Sequence, residues 1–318
     1  MQKTLLAILS QIESVVIGKP HECRLALACL LAQGHLLIED LPGMGKTTLA
    51  QTLAKTLRLS YQRTQFTSDL LPSDVVGISI FNSDTKQFEL HKGPIFNQVV
   101  LADEINRASP KTQSALLEAM AEYQVSIDGV THILPRPFFV IATQNPLFHA
   151  GTYPLPESQL DRFMMRLSLG FPDIDAEKRI LLSNNVQLTE PTVISDIVSV
   201  ETLMSMQNSI QQVHASTSII EYVIALCRVS RGQDMTTKEG KIACKPLSPR
   251  AGKALLASAR AWAFIDNRDY LLPDDIKAVF YSVCEHRLEL NITEHQQSSA
   301  SISERILDTV NVLNPLNA

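Results

Sequence analysis

Residues 36–57 read LLIEDLPGMGKTTLAQTLAKTL, and this stretch decides the fold. An apolar run gives way to a loop with Gly43 and Gly45, and leucines then recur at helical spacing from Leu49 onward. The order of strand, glycine-containing loop, Lys46-Thr47 and helix is the context that a phosphate-binding P-loop requires. Glycines let backbone N–H groups crowd a phosphate, and the helix N-terminus adds positive potential. The stretch therefore predicts a nucleotide-binding α/β domain.

The loop supplies the first candidate site. We expect it to surround the phosphates of ATP, with Lys46 reaching the β and γ oxygens and Thr47 binding Mg²⁺. The strict pattern has glycine where this chain has Asp40, and we expect that carboxylate at the mouth of the loop. The sequence leaves open whether the carboxylate weakens nucleotide affinity. The alternative is a helix cap that contains glycine by chance. The candidate phosphate-binding residues are Pro42, Gly43, Met44, Gly45, Lys46, Thr47 and Thr48.

Short apolar runs alternate with helical patterns up to about residue 170, which is typical of a parallel sheet. The helical pattern then continues alone. We expect an α/β domain over residues 1–172, beginning with an amphipathic helix, and an all-helical lid domain over residues 173–318. The predicted strands are Leu36 to Glu39, Tyr61 to Phe66, Gln98 to Ala102, Phe138 to Thr143 and Met165 to Leu169. The predicted later helices are Glu177 to Leu182, Val200 to Val213, Thr217 to Ser230, Pro249 to Ile265 and Asp274 to Arg287, with loops at 187–197 and Gly232 to Lys245.

Polar residues follow two other predicted strands. VVLADE at 99–104 ends in Asp103, which can hold Mg²⁺ through its waters, and Glu104, which can orient the attacking water. FFVIATQNP at 138–146 brings Asn145 to a third strand end, where a neutral amide could position the same water. Because ligands bind at the carboxyl ends of parallel strands, we expect these side chains to meet the P-loop. The alternatives are solvated turn residues and, for Asn145, a turn before proline.

Four blocks together resemble the MoxR group of AAA+ ATPases. They are TQFTSDLLPSDVVG at 64–77, GPIFNQVVLADEINRASPKTQSALLEAM at 93–120, ATQNP at 142–146 and LPESQLDRF at 155–163. The resemblance runs from about residue 15 to 290. It implies an AAA+ ATP-binding core followed by a helical lid, and a ring-shaped homo-oligomer, expected to be a hexamer, with ATP between domains and between subunits.

The resemblance also implies roles for single residues. Asn145 resembles the sensor 1 residue, Arg162 the arginine finger that reaches a neighbouring subunit, and Arg250 the sensor 2 residue of the lid. Without the resemblance, Arg162 reads as a surface ion pair with Asp161 or Glu157, and Arg250 as a solvated residue in the first turn of a helix. VVIG at 15–18 resembles the wall of the adenine pocket, which makes Val16, Ile17 and Gly18 candidate contacts of the base.

Two hairpins are predicted within the α/β part. One surrounds the turn at residues 82–85, and the other turns at Asp128-Gly129, a strong type I′ signal. They resemble the helix-2 insert, at about 75–92, and the hairpin before sensor 1, at about 124–135, which face the central pore of such rings. Arg107 is expected either to face a neighbouring subunit or to form an ion pair at a helix start.

Composition limits the class of protein. With 45% hydrophobic residues, 19% charged residues and a net charge of −5, the chain reads as an ordinary globule with no broadly basic surface for nucleic acid. The five cysteines form no C-x-x-C pair, as expected of a reducing compartment. The apolar, uncharged stretch from Leu25 to Ile38 is too short to span a bilayer. We expect a cytoplasmic location without membrane insertion.

Three functions fit these patterns. The first is a Mg²⁺-dependent ATPase that remodels or matures partner proteins, which the resemblance implies are proteins with von Willebrand factor A domains. The second is a binding scaffold whose assembly ATP controls and whose turnover is incidental. The third is a DNA-remodelling ring, which the lack of a basic stripe along the hairpins disfavours. Within the fold, a magnesium-chelatase motor subunit is the nearest alternative.

Overall fold

The computed structural model describes residues 1–145, 151–182, 198–232, 242, 244–288, 301–312 and 315. The predicted loop at 187–197 and most of the one at 232–245 lie outside these ranges. Two helices come first, α1 (Gln2–Val15) and α2 (Pro20–Leu31). The α/β part continues with β1 (Leu36–Glu39), α3 (Lys46–Thr56), β2 (Tyr61–Gln65), α4 (Pro72–Val76), β3 (Gly77–Asn82), β4 (Gln87–Lys92), β5 (Val99–Asp103), α5 (Pro110–Glu122), β6 (Gln124–Ile127), β7 (Val130–Ile133), β8 (Phe139–Gln144), α6 (Glu157–Leu160) and β9 (Met165–Leu167). The helical part contains α7 (Ile174–Leu182), α8 (Val200–Gln211), α9 (Thr217–Ser230), α10 (Pro249–Ile265), α11 (Pro273–Leu288) and α12 (Ile302–Thr309).

The predicted parallel sheet is confirmed. Its strand order is β2-β5-β8-β1-β9, and every neighbouring pair is parallel. The predicted bounds of β1 match the observed ones, and the other four predicted strands differ from the observed strands by one or two residues at their ends. The order puts the strand before the P-loop, β1, beside β8, and β5 on the other side of β8. All three strands are buried along nearly their whole length, as expected for a parallel sheet covered on both faces.

The sheet separates two apolar clusters. Along β5, Val99 and Leu101 belong to one cluster, whereas Val100 and Ala102 belong to the other, as the alternation of a strand dictates. The first cluster also takes in α1, α2, α3 and the helical part, whereas the second contains α5 and the hairpin bases. The change from strands to helices at α7 therefore does not interrupt the core.

Both predicted hairpins form. β3 pairs with β4 and β6 pairs with β7, each antiparallel. Asp128 and Gly129 have φ angles of 51° and 79°, the positive values that a type I′ turn needs at both central positions. The base of the first hairpin is tight, because a Cβ at Gly77 would lie 2.5 Å from the His91 carbonyl oxygen. Only glycine fits there at its φ of 102°.

Four helices of the C-terminal part, α8, α9, α10 and α12, begin at serine caps. The hydroxyl oxygens of Ser199, Ser216, Ser248 and Ser301 accept hydrogen bonds from backbone N–H groups three residues later, which satisfies donors that a helix start leaves open. None of the helices in the described part of the chain is long and apolar enough to cross a membrane.

Candidate active site

The carboxyl ends of β1, β5 and β8 meet at one edge of the sheet. The register pairs Glu39 with Gln144 and Ala102 with Ala142, so the residues that follow each strand lie at the same level. This edge, called here the nucleotide edge, contains the P-loop after β1, Asp103 and Glu104 at the end of β5, and Asn145 after β8. The sequence prediction that these groups lie together therefore agrees with the structure.

The P-loop presents open backbone donors. Gly43 and Gly45 both have φ of 85°, and a Cβ at either position would meet no atom within 4 Å, so the space in front of the loop is free. The first turn of α3 receives no side-chain cap. Its N–H groups therefore remain available to an anion, as expected of a phosphate cradle. Thr47 is half-buried in this turn.

Lys46 is a buried ammonium group that has no carboxylate within ion-pair distance among the residues the structure describes. Its Nζ donates to the Asp40 carbonyl oxygen at 2.6 Å, to the Asn145 Oδ1 at 2.9 Å and to the Gln144 carbonyl oxygen at 3.5 Å. Burial lowers the pKa of Lys46, and the nearby carboxylates, with Asp40 the largest contributor, oppose that shift. A charge that is only partly compensated by neutral oxygens favours the arrival of a phosphate.

Thr143 joins the two acidic residues of β5. Its Oγ1 donates to Asp103 Oδ1 at 2.6 Å and accepts from the Glu104 backbone N–H at 2.9 Å. Asp103 is buried, and its second oxygen accepts from Arg63, with Nη2 at 2.6 Å. One hydroxyl on β8 thus fixes both the direction of Asp103 and the backbone of Glu104.

Glu104 is held by three neighbours. Its Oε1 accepts from Asn145 Nδ2 at 3.0 Å, and its Oε2 accepts from Gln65 Nε2 and Arg107 Nη1, each at 2.9 Å. Arg107 therefore forms the ion pair that was one of its two expected roles. The φ of Glu104 is 55°, an uncommon value for a residue with a side chain, and such positions cluster at functional sites. Asn145 contacts both Glu104 and Lys46 and so links the acid to the P-loop.

The residues at this edge fit a magnesium ion. Mg²⁺ prefers oxygen ligands and keeps several of its waters, so it needs few protein groups. Thr47 offers a hydroxyl in the first turn of α3, and Asp103 offers a buried carboxylate already oriented by Thr143. Thr47 and Asp103 would hold the ion, which supplies charge neutralisation for the β and γ oxygens when bound.

Asp40 does not point where the sequence suggested. Its Oδ2 accepts from the backbone N–H groups of Leu169 and Gly170, each at 2.7 Å, and from the Ser168 hydroxyl at 3.2 Å, while Oδ1 accepts from Leu41 N–H at 2.9 Å. The carboxylate is buried between the end of β1 and the segment after β9. The expectation of a charge at the mouth of the loop was therefore wrong, because the segment after β9 offers N–H donors that a local pattern does not reveal.

The segment proposed for the adenine wall lies against the start of the helical part. Val16 is buried in the same apolar cluster that Met44 of the P-loop contacts, and Ile17 is half-buried. A Cβ at Gly18 would lie 2.4 Å from Ala176 Cβ of α7. This close approach requires glycine and places the segment between the P-loop side of the core and the first helix of the helical part.

Arg162 and Arg250 lie at the other edge of the sheet. Arg162 precedes β9, whose first residue Met165 pairs with Leu36 at the start of β1. Its Nη1 donates to the Leu117 carbonyl oxygen of α5, and Arg162 and Arg250 line the same surface cleft beside Asp161. The length of β1 alone, four residues, separates this amino edge from the P-loop by about 13 Å. Arg250 therefore lies at the opposite edge of the sheet from Lys46.

Arg287 of α11 fixes this second cluster. Its Nε donates to Asp161 Oδ1 at 2.7 Å, and its Nη2 donates to the Phe163 carbonyl oxygen at 2.7 Å. The side chain is only 6% exposed. Asp161 also pairs with Arg250, whose Nη1 lies 3.5 Å away. The helical part therefore orients the loop that carries Arg162.

Sequence reasoning missed four residues of these two clusters: Arg63, Gln65, Thr143 and Arg287. Gln65 ends β2 and pairs with Asp103 in the register, so its position at a strand end was a usable signal. Thr143 was included in a predicted strand but read only as part of that strand. Arg287 had no local signal, because its partners lie more than a hundred residues earlier.

Known proteins resemble this chain over nearly its whole length. The family "ATPase family associated with various cellular activities (AAA)" matches residues 35–165, and "AAA lid domain" matches residues 242–308. Chaperone MoxR1 of Mycobacterium tuberculosis is 35% identical over 312 residues, which span 96% of this chain and 82% of that protein. Protein YeaC of Bacillus subtilis is 45% identical over 284 residues, 88% of this chain and 85% of its own. The crystal structure of a protein from Cytophaga hutchinsonii superimposes with a TM-score of 0.86 at 38% identity, and the match covers 99% of this chain and 95% of that one.

Proposed function

This chain belongs to the MoxR family of AAA+ ATPases, and from that premise we propose that it couples Mg²⁺-dependent ATP hydrolysis to chaperone-like remodelling or maturation of partner proteins. The observation that carries the proposal is the separation of the nucleotide edge from the two arginines. Lys46, Asp103, Glu104 and Asn145 lie at the carboxyl ends of the strands, whereas Arg162 lies at the amino end of β9. Hydrolysis then depends on a neighbouring subunit.

Within one subunit, the residues at the nucleotide edge divide the work. The P-loop residues Pro42 to Thr48 bind the phosphates, and Val16, Ile17 and Gly18 border the adenine. Glu104 orients the attacking water, whose oxygen bonds to the γ-phosphorus as the bond to the β–γ bridging oxygen breaks. Asn145 positions Glu104 through the 3.0 Å contact. Lys46 balances the charge that develops on the phosphate oxygens.

The second half of the site comes from the adjacent subunit. Arg162 and Arg250 offer guanidinium groups suited to phosphate oxygens, and the Arg250 side chain is 60% exposed. A closed ring repeats such a head-to-tail contact at every interface, and we propose a hexamer. The neighbouring cluster then completes each ATP site, and turnover requires assembly. The division into a core at 1–172 and a lid at 173–318 is part of the same proposal.

The hairpins are the proposed contacts with the client protein. Phe81 and Phe88 on the first hairpin are 54% and 73% exposed, and Val130 and Ile133 on the second are 57% and 75% exposed. Exposed apolar side chains on paired hairpins suit a partner with unpacked apolar surface rather than a phosphate backbone. By family resemblance, we propose clients with von Willebrand factor A domains. We place the protein in the cytoplasm, since it consumes ATP and four of its cysteines, Cys23, Cys29, Cys227 and Cys284, are buried thiols.

The test is ATP hydrolysis per subunit across a wide range of protein concentration, with and without Mg²⁺. Specific activity is expected to rise with concentration, because each site needs a second subunit. Activity that stays constant per subunit would favour a monomeric switch. Glu104→Gln distinguishes the motor from a scaffold: client maturation is expected to stop while ATP binding persists, whereas a scaffold would keep its client function.

A further inference from the structure

Arg63 is a cationic neighbour of Asp103. It lies on β2, next to β5, and both its Nε and its Nη2 approach Asp103 Oδ2, at 3.1 Å and 2.6 Å. Its Nη2 also lies 3.4 Å from Gln65 Oε1, and Gln65 in turn donates to Glu104. A guanidinium group therefore stands beside the carboxylate assigned to magnesium.

The two oxygens of Asp103 have different partners. Oδ1 accepts from the hydroxyl of Thr143. Because the Thr143 side chain is fully buried, the hydroxyl cannot turn away from Asp103 unless the packing around Thr143 is disrupted. Oδ2 accepts only from Arg63 among the contacts of the described residues, and the Arg63 side chain is 48% exposed against 10% for Asp103. A half-exposed guanidinium can turn into water at little cost. Oδ1 is thus fixed, and Oδ2 can be freed.

We propose that Arg63 is a positioning residue that occupies Asp103 Oδ2 until Mg²⁺ and nucleotide arrive, and so sets the Mg²⁺ concentration the site requires. This inference rests on the proposed role of Asp103. A water bound to Mg²⁺ and the Arg63 guanidinium both donate hydrogen bonds, and they compete for the same oxygen. When Arg63 turns away from Asp103, its Nη2 also leaves Gln65 Oε1. Gln65 donates to Glu104, so the departure of Arg63 changes the contacts of a side chain that holds Glu104.

The experiment measures nucleotide binding, which needs neither hydrolysis nor a client. A fluorescent ATP analogue is titrated onto the full-length chain at fixed Mg²⁺ and in EDTA, and Mg²⁺ is then titrated at fixed analogue. Arg63→Gln is expected to lower the Mg²⁺ concentration at half-saturation by about two- to fivefold, the value of a half-exposed ion pair, and to leave affinity in EDTA unchanged. Arg63→Lys keeps the charge without the paired donors and is expected to give an intermediate value.

The control is Arg58→Gln, which removes the same charge from an exposed residue just before β2. It is expected to leave the Mg²⁺ dependence at the wild-type value. An unchanged Mg²⁺ dependence in both Arg63 variants would overturn the inference and leave Arg63 a structural ion pair. Weaker binding with and without Mg²⁺ would also overturn it, because Arg63 would then contact the nucleotide. Wild-type protein that binds no nucleotide under either condition would instead overturn the proposed function.

Discussion

Replacement of Asp40 by asparagine is expected to weaken the fold, whereas its effect on ATP affinity is expected to be small. The Asp40 carboxylate is 9% exposed and accepts three backbone N–H groups, from Leu41, Leu169 and Gly170. An asparagine has one acceptor oxygen and turns an NH₂ group toward the remaining donor. It therefore removes the charge that joins the end of β1 to the end of β9.

The magnitude follows from these bonds. A hydrogen bond to a charged group contributes roughly 1 kcal/mol more than a neutral one, and the two bonds to Leu169 and Gly170 both lose that increment. The donor left facing the NH₂ group costs about 1 kcal/mol more. Asp40→Asn is thus expected to lower the free energy of unfolding by about 3 kcal/mol.

The assay is urea denaturation followed by circular dichroism and by fluorescence of the single tryptophan, Trp262, together with titration of a fluorescent ATP analogue. The matched control is Asp84→Asn in the exposed turn of the first hairpin, which is expected to change neither stability nor binding. If Asp40→Asn were as stable as that control and bound ATP more tightly, the carboxylate would lie at the mouth of the P-loop after all, and the reasoning would fail.

Three further predictions follow from buried contacts. Burial lowers the pKa of His35 to about 4, from 6.5 when unfolded, so the unfolded chain takes up the proton first as pH falls. His35 alone is expected to lower the free energy of unfolding by about 2 kcal/mol between about pH 7 and pH 5, and the buried His286, whose pKa is also lowered, acts in the same direction. A flat stability profile in urea denaturation across this range would contradict the prediction. Arg287→Met leaves Asp161 without its nearest cation and is expected to cost about 3 kcal/mol of unfolding free energy and most ATPase activity. A fully active, stable variant would show that Arg287 does not orient the loop that carries Arg162. Thr143→Val removes the bond to Asp103 and is expected to lower the ATPase rate at least about tenfold, whereas Thr143→Ser keeps it; equal rates in the two variants would refute the role of the hydroxyl.

The P-loop, the parallel sheet and the hairpins could be predicted because their signals are local. The P-loop is predicted by an apolar run that stops before Gly43 and a leucine repeat that follows it, and the second hairpin is predicted by Asp128-Gly129. Each of these patterns spans only a few residues. The position of Glu104 and Asn145 also followed, since carboxyl ends of parallel strands share one edge.

The contacts of Asp40, Arg63 and Arg287 could not be predicted, because each depends on the order and register of distant strands or helices. Asp40 accepts hydrogen bonds from residues about 130 positions later, which come beside the end of β1 only once β9 joins the sheet. Arg250 was expected from its resemblance to sensor 2, yet its place beside Arg162 depends on how the helical part packs against α2 and β9. No periodicity in the sequence encodes that packing.

Mixing two inactive variants tests the central claim, that each ATP site is completed by the neighbouring subunit. Lys46→Ala lacks the P-loop lysine but keeps Arg162, and Arg162→Ala has the opposite defect. Each alone is expected to be nearly inactive, since a trans arginine contributes about a thousandfold or more. Mixed in equal amounts, they are expected to recover about a quarter of wild-type activity, the share of random interfaces that unite an intact P-loop with an intact arginine. A mixture as inactive as its components, or an Arg162→Ala variant with wild-type activity, would contradict the account.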